Sequence, residues 1–241
     1  MNGNQTVFEG RMAVVEIGKR LQITVGIIIL FTVVFLNAND CQLETEMIEA
    51  GLVNIVEIDS NIKVEIFNAS ENNILGINTY GCMESCYLQP EVAEKLLKAQ
   101  NILKNKYPDY NLKALECTRP RRVQVQMFDV VKNTAIEKFV ADPSKGSMHN
   151  YGAAVDVTIV DENGIELKMG QPDPRIQIKG KNLLWLRLVM YLNKPGEIEL
   201  KNRELLRTVM VKAGFIPISY EWWHFDAFDK EYTRKKYQII E

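Results

Sequence analysis

Histidine is nearly absent from this chain: there are two in 241 residues. Any site built on imidazole has His149 and His224 to draw on and must complete itself with other ligand types. Excess positive charge is also missing, with 29 basic residues against 31 acidic ones and a net charge of -2. A chain with no basic excess has nothing to attract a phosphate backbone, which argues against nucleic acid as a partner. No internal repeat or low-complexity stretch stands out and no linker divides residues 39–241, and 241 residues leave room for one sizeable domain or at most two small ones. Apolar content of 46% and charged content of 25% are those of an ordinary globular protein.

One apolar run stands out, Leu21 to Leu36, and at 16 residues it is shorter than the span of about 20 that crosses a bilayer comfortably. Lys19 and Arg20 precede it, and Asn37-Ala38-Asn39 follow it. A basic flank, an apolar stretch and then small or polar residues is the layout of an export signal. Residues 1–38 are therefore expected to be a signal peptide or, if uncleaved, a membrane anchor, and the chain's only membrane contact. The expected location is the periplasm or cell envelope. All four cysteines, Cys41, Cys82, Cys86 and Cys117, lie beyond this segment. An even count in an exported protein permits disulfides, with Cys82 and Cys86 the local candidates, although pairing does not follow from sequence.

Residues 39–241 are expected to form one catalytic domain of α+β class, a central antiparallel sheet flanked by helices. The loose alternation of Val56, Ile58, Ile62, Val64 and Ile66 reads as strands across 52–67. Pro90 and Glu91 open a helix whose apolar face is Val92, Leu96, Leu97 and Leu103, with Pro108 as its stop. Asn111 to Glu116 reads as a strand and 122–132 as a helix. A strand over 153–160 is followed by an Asn163-Gly164 hairpin turn and a second strand over 165–169. Helices are expected over 182–192 and 203–212, the latter capped by Asn202 and ended by Gly214. Phe215 to Tyr220 reads as the last strand, carrying Glu221 to His224 at its end.

Both histidines sit inside compact clusters of metal and acid–base chemistry. His149 lies in Ser147-Met148-His149-Asn150-Tyr151-Gly152-Ala153-Ala154-Val155-Asp156, and His224 closes Glu221-Trp222-Trp223-His224. Hydrolytic zinc sites take three protein ligands and leave a position for water, and zinc accepts nitrogen and oxygen alike. His149, Asp156 and His224 are the expected ligands of one zinc ion per chain. Seven residues from His149 to Asp156 would share a helix face, but Gly152 and the β-branched residues after it favour a turn entering a strand. Glu221, three residues before His224, is the expected general base and acid, and Trp222 and Trp223 could wall the site from solvent. Hydrolysis of an amide builds an oxyanion, and Arg119 in Thr118-Arg119-Pro120 is the candidate cation for it. Arg121 and Arg122 read as a solvated basic turn.

Together these residues resemble the VanX-type D-alanyl-D-alanine dipeptidases of the zinc D-Ala-D-Ala metallopeptidase superfamily. The likeness rests on the S-x-H-x-x-G-x-A-x-D stretch from Ser147 to Asp156 and the E-x-W-H ending from Glu221 to His224, and extends over roughly residues 52–230. It implies His149, Asp156 and His224 as zinc ligands, Glu221 as catalytic base, Arg119 as the transition-state arginine, and Ser147 and Glu116 on the substrate side. It further implies a small D,D-dipeptide as substrate, with a D,D-carboxypeptidase or a non-catalytic zinc-stabilised binding module as the competing readings. Two departures, at Asn68 to Ile74 and after Met169-Gly170, fall outside the metal motifs and bear on selectivity for D-Ala-D-Ala.

Overall fold

The computed structural model describes residues 41–241 apart from 74, 135–136, 138–139 and 176–182. The expected leader over 1–38 lies outside the described residues. Among those described, no helix is long and apolar enough to cross a membrane.

In chain order the elements are α1 (Gln42–Glu49), β1 (Val53–Asn54), α2 (Ile55–Ile58), β2 (Lys63–Val64), β3 (Tyr87–Leu88), α3 (Pro90–Lys106), β4 (Asn111–Glu116) and α4 (Arg121–Val131). There follow β5 (Ala154–Val160), α5 (Leu183–Leu192), α6 (Glu197–Ala213), β6 (Ile216–Pro217), β7 (His224–Asp226) and α7 (Lys230–Lys236). The main sheet has strand order β2-β4-β5-β7-β6, and β1 pairs with β3 in a separate two-stranded ribbon. The class is α+β, as expected, but the sheet is mixed rather than antiparallel. Edge strand β2 runs parallel to β4, whereas β4–β5, β5–β7 and β6–β7 are antiparallel. Parallel neighbours cannot be joined by a hairpin and need a long crossover; here the chain between them carries β3 and α3.

Every residue of β5 is buried, which gives this central strand its nearly unbroken apolar run. Asp156 and Thr158 are its polar exceptions, and Val155, Val157 and Ile159 point to the opposite face. Helix α3 packs against β4 and α6. Its register is legible in the residues: Pro90 at its start, Glu91 in its first turn, Lys104 and Lys106 in its last, and Val92, Leu96, Ala99 and Leu103 buried along one stripe.

Several expected elements are shorter or displaced. Residues 52–67 are not continuous strand; the Asn54 side chain accepts from the Val56 N–H and starts α2, leaving Val56 and Ile58 exposed. The Asp161–Gly164 turn forms, but beyond it a single bridge, Val160 to Glu166, replaces the second strand. Helix α6 begins at Glu197 rather than Arg203, because Glu199 turns back to accept from the Gly196 N–H at 3.1 Å and starts the helix before Asn202 is reached. Strand β6 covers only Ile216–Pro217, and His224 opens a strand of its own.

The disulfides are Cys41–Cys82 and Cys86–Cys117, so Cys82 and Cys86, neighbours in sequence, do not pair with each other. Each bond closes a long loop, of 41 and 31 residues respectively.

Gly152 links the turn holding His149 to β5, with φ at +65°. A Cβ there would lie 3.0 Å from both Leu52 Cδ2 and Thr118 Oγ1. Gly152→Ala is expected to cost about 1–3 kcal/mol through strain and overpacking. The check is a urea titration of metal-free protein, and an unchanged midpoint would contradict this account of the turn.

Candidate metal centre

The site grows from one row of the sheet. Glu116 on β4 is the cross-strand partner of Asp156 on β5, and Asp156 is the partner of His224 on β7. Residues opposite one another across a sheet project to the same face. Three chemistry-bearing side chains from three strands therefore stand side by side. His149 joins them from the short 3-10 turn Met148–Tyr151. Ser147 caps that turn: its Oγ accepts from the His149 N–H at 3.4 Å, and its own N–H donates to Asn150 Oδ1 at 2.6 Å.

His149 Nε2 lies 3.3 Å from Asp156 Oδ1 and 3.1 Å from His224 Nδ1, and His224 Nδ1 lies 3.0 Å from the same Asp156 oxygen. All three residues are buried. The outer nitrogen of each ring is already engaged. His149 Nδ1 is 2.7 Å from the Cys117 carbonyl oxygen, and His224 Nε2 is 2.8 Å from Asp226 Oδ1. A carbonyl or an ionised carboxylate can only accept, so each outer nitrogen carries the proton and each inner one faces the shared centre. Donor atoms bound tetrahedrally to zinc at 2.0–2.1 Å stand about 3.3 Å apart. The observed triangle is close to that size, and two imidazoles with one carboxylate is a donor set that zinc accepts. The residues fit the ion.

Without a metal the same groups hold a proton instead. Burial works against a charged His224, yet its contacts with Asp156 and Asp226 push its pKa up to about 10. Burial would raise Asp156, but the positive field and hydrogen bonds of His149 and His224 hold it well below the usual carboxylate range.

Glu221 sits in the turn before β7, with Oε2 3.9 Å from His224 Nδ1. Burial, and secondarily the negative charge of Asp156, raise its pKa above the ordinary value. Its neighbour Trp223 is buried, while Trp222 donates its indole N–H to the Pro172 carbonyl at 2.5 Å and lies under the Arg203 guanidinium. Glu221 and Trp222 also border a cavity of about 340 Å³ that reaches Arg203 and Tyr220.

Arg119 leaves β4 beside this row. Its Nε and Nη2 donate to the two oxygens of Glu116 at 2.7 and 2.5 Å, and its Nη1 donates to Gln124 Oε1 at 2.7 Å. Tyr80 Oη donates to Glu116 at 2.7 Å and Asn68 Nδ2 at 2.9 Å, so the fully buried Glu116 carboxylate accepts four hydrogen bonds. Burial works against the Arg119 charge, but the charge and hydrogen bonds of Glu116, with the fields of Tyr80 and Asp156, together outweigh it and keep the guanidinium ionised. Arg121 and Arg122 point elsewhere, to Glu241 and Glu46.

The structure thus brings His149, Asp156, His224 and Glu221 together, sets Arg119 and Glu116 next to them, and leaves Ser147 half-buried at the head of the His149 turn. Sequence reasoning missed Asp226, although a carboxylate two residues after a ligand on a strand shares its face, and that spacing was available. It also gave no role to the Cys117 carbonyl, Tyr80 or Gln124.

A family model described as D-ala-D-ala dipeptidase matches residues 48–241. Over 175 residues, 73% of this chain and 83% of the relative, the sequence is 29% identical to a D-alanyl-D-alanine dipeptidase of Escherichia coli (strain K12). Over 85 residues, 34% of each chain, it is 32% identical to a D-alanyl-D-alanine dipeptidase of Synechocystis sp..

Two outcomes follow from the geometry. Removing the outer support of one ligand, Asp226→Ala, is expected to weaken zinc binding by about 10–100-fold in chelator competition; an unaltered affinity would show that Asp226 does not orient His224. Because zinc must displace a proton from His224 below pH 10, affinity should rise about tenfold per pH unit between roughly pH 7 and 9. A flat profile over that range would refute the proton competition.

Proposed function

The chain belongs to the D-Ala-D-Ala dipeptidase family of zinc metallopeptidases, and from that premise we propose that it hydrolyses D-alanyl-D-alanine to two D-alanines. The observation that carries the reading is the convergence of His149, Asp156 and His224, with each ring's second nitrogen already engaged. We assign catalysis to residues 39–241 and export to residues 1–38.

His149, Asp156 and His224 would hold one zinc ion per chain, which when bound would supply Lewis acidity for the scissile carbonyl and a water of lowered pKa. The chain's own groups do the rest. Glu221, on the ligand side of His224, takes the proton of the attacking water and returns it to the departing amine. Burial keeps its carboxyl more basic than a solvated glutamate, which suits the first of these transfers. Arg119 faces the carbonyl oxygen as it gains negative charge. Three of the guanidinium's N–H groups are committed to Glu116 and Gln124, which fixes the plane, and two remain for the oxyanion. Glu116 takes its part in the substrate pocket by holding Arg119 in place. The Ser147 hydroxyl, which accepts from the His149 N–H at the head of the turn, is assigned to the dipeptide's amino end.

Full-length protein should release D-alanine from D-Ala-D-Ala, and a chelator should abolish this. A pentapeptide ending in the same two residues should be a poor substrate; preference for it would support a D,D-carboxypeptidase instead. Glu221→Ala is expected to bind one zinc and lose about 100- to 10,000-fold in kcat. Arg119→Ala should lose about 100- to 1,000-fold with zinc affinity intact. Normal turnover by either variant would remove the corresponding role, and stoichiometric zinc without hydrolysis of any D,D-peptide would favour a binding module.

A further inference from the structure

Cys117 is the residue where a disulfide, a metal ligand and the active-site arginine meet. Its sulfur is bonded to Cys86, and its carbonyl accepts from His149 Nδ1 at 2.7 Å. Two residues on, the Arg119 N–H donates to the His149 carbonyl at 3.0 Å, and the Arg119 carbonyl accepts from Asn150 Nδ2 at 2.7 Å. On its other side the segment hangs from β3: the Tyr87 carbonyl accepts from the Thr118 N–H at 3.1 Å and from Thr118 Oγ1 at 2.5 Å. Gln89, just beyond, donates from its backbone to the Gly152 carbonyl and from its side chain to the Tyr151 carbonyl, both at 3.0 Å. Residues 86–89 are therefore a common footing for the segment that carries Arg119 and the turn that carries His149.

Cys117 needs that footing because β4 has ended. Glu116 and Asp156 are the last partners of the β4–β5 ladder, and the register is already irregular between Ala114 and Glu116. Beyond the ladder the Cys117 carbonyl shares its peptide plane with the Thr118 N–H that donates to Tyr87, and the covalent bond to Cys86 ties the same residue to that segment. Both cysteines are buried, so the link lies inside the core next to the site.

We propose that the Cys86–Cys117 disulfide is a positioning element of the metal centre, fixing the carbonyl that orients His149 so that full zinc affinity requires the bond. This rests on the metal-centre reading above. A bond that served stability alone would lower the melting temperature without touching the metal.

The other disulfide provides a matched control, since loops of 31 and 41 residues carry similar chain-entropy contributions. Two full-length double variants are compared with the parent, Cys86→Val with Cys117→Ala, and Cys41→Ala with Cys82→Ala. The readouts are the zinc dissociation constant from chelator competition and the visible absorption of cobalt-substituted protein. Turnover is set aside, because Cys82 lies two residues from Tyr80 of the Arg119 network. The first variant should bind zinc about 10-fold or more weakly and show altered cobalt bands, whereas the control should match the parent in both. Parental affinity and bands in the first variant, or equal losses in the two, would overturn the proposal. Should the first variant not fold, the control protein, whose remaining disulfide is Cys86–Cys117, is reduced in mild denaturant, returned to buffer and measured against its oxidised form. Weaker zinc binding and altered cobalt bands in the reduced form would then support the proposal, and identical behaviour of the two forms would overturn it. A parent that fails to bind zinc brings down the metal-centre reading itself, and this inference with it.

Discussion

One buried carboxylate governs the arrangement: Asp156 on the central strand, faced by His149 and His224. An ionised carboxylate inside a fold is costly unless a positive partner and hydrogen bonds compensate it. Asp156 has no lysine or arginine for that purpose among its described hydrogen-bond partners. It has two imidazoles, which are positive only when protonated or when they share a cation. Such a group can exchange a proton for a metal ion. A second buried charge, Glu116, stands beside it and is neutralised in the conventional way, by a two-pronged contact with Arg119. The two neighbouring carboxylates thus divide the work, one held for a cation from solution and the other locked onto the chain's own.

Rigid placement follows from topology. Glu116, Asp156 and His224 occupy one row across three adjacent strands, so their spacing is set by the ladder rather than by loops. The opposite face of β5 is filled by Val155, Val157 and Ile159, all fully buried, which holds the strand in place. His149 is the one member of the candidate metal triad outside the ladder. It depends on the left-handed turn at Gly152 and on the clasp between residues 117–119 and 149–150. Around the ligands the supporting atoms are backbone carbonyl for one ring and carboxylate for the other, and this fixes which nitrogen of each can turn inward.

Much of the site was legible because its chemistry is carried by rare residues in tight motifs. With two histidines in the chain, the convergence of His149, Asp156 and His224, the nearby Glu221 and the turn at Gly152 could all be read locally. Helix α3 was equally plain, since proline, charge and apolar spacing agree along its length. What escaped was decided by distant contacts. Asn54 stops β1 with a hydrogen bond that a pattern of apolar alternation does not reveal. Helix α6 starts early because Glu199 reaches back to Gly196, a contact that outranks the plausible cap at Asn202. The parallel edge strand and the Cys86–Cys117 pairing depend on how the crossover through α3 returns to the sheet, whereas Cys41 meets Cys82 before α3 begins. Asp226 was open to view, and its meaning appeared once β7 placed it beneath His224.

The most direct test is the X-ray absorption fine structure of zinc-loaded protein, which reports the atoms bound to the ion itself. The account predicts a first shell of two imidazoles and oxygen donors at about 2.0–2.2 Å, with no sulfur. A sulfur shell at about 2.3 Å, or a shell without imidazole, would mean that the ion is held elsewhere and that Asp156 and its two histidines are not its ligands.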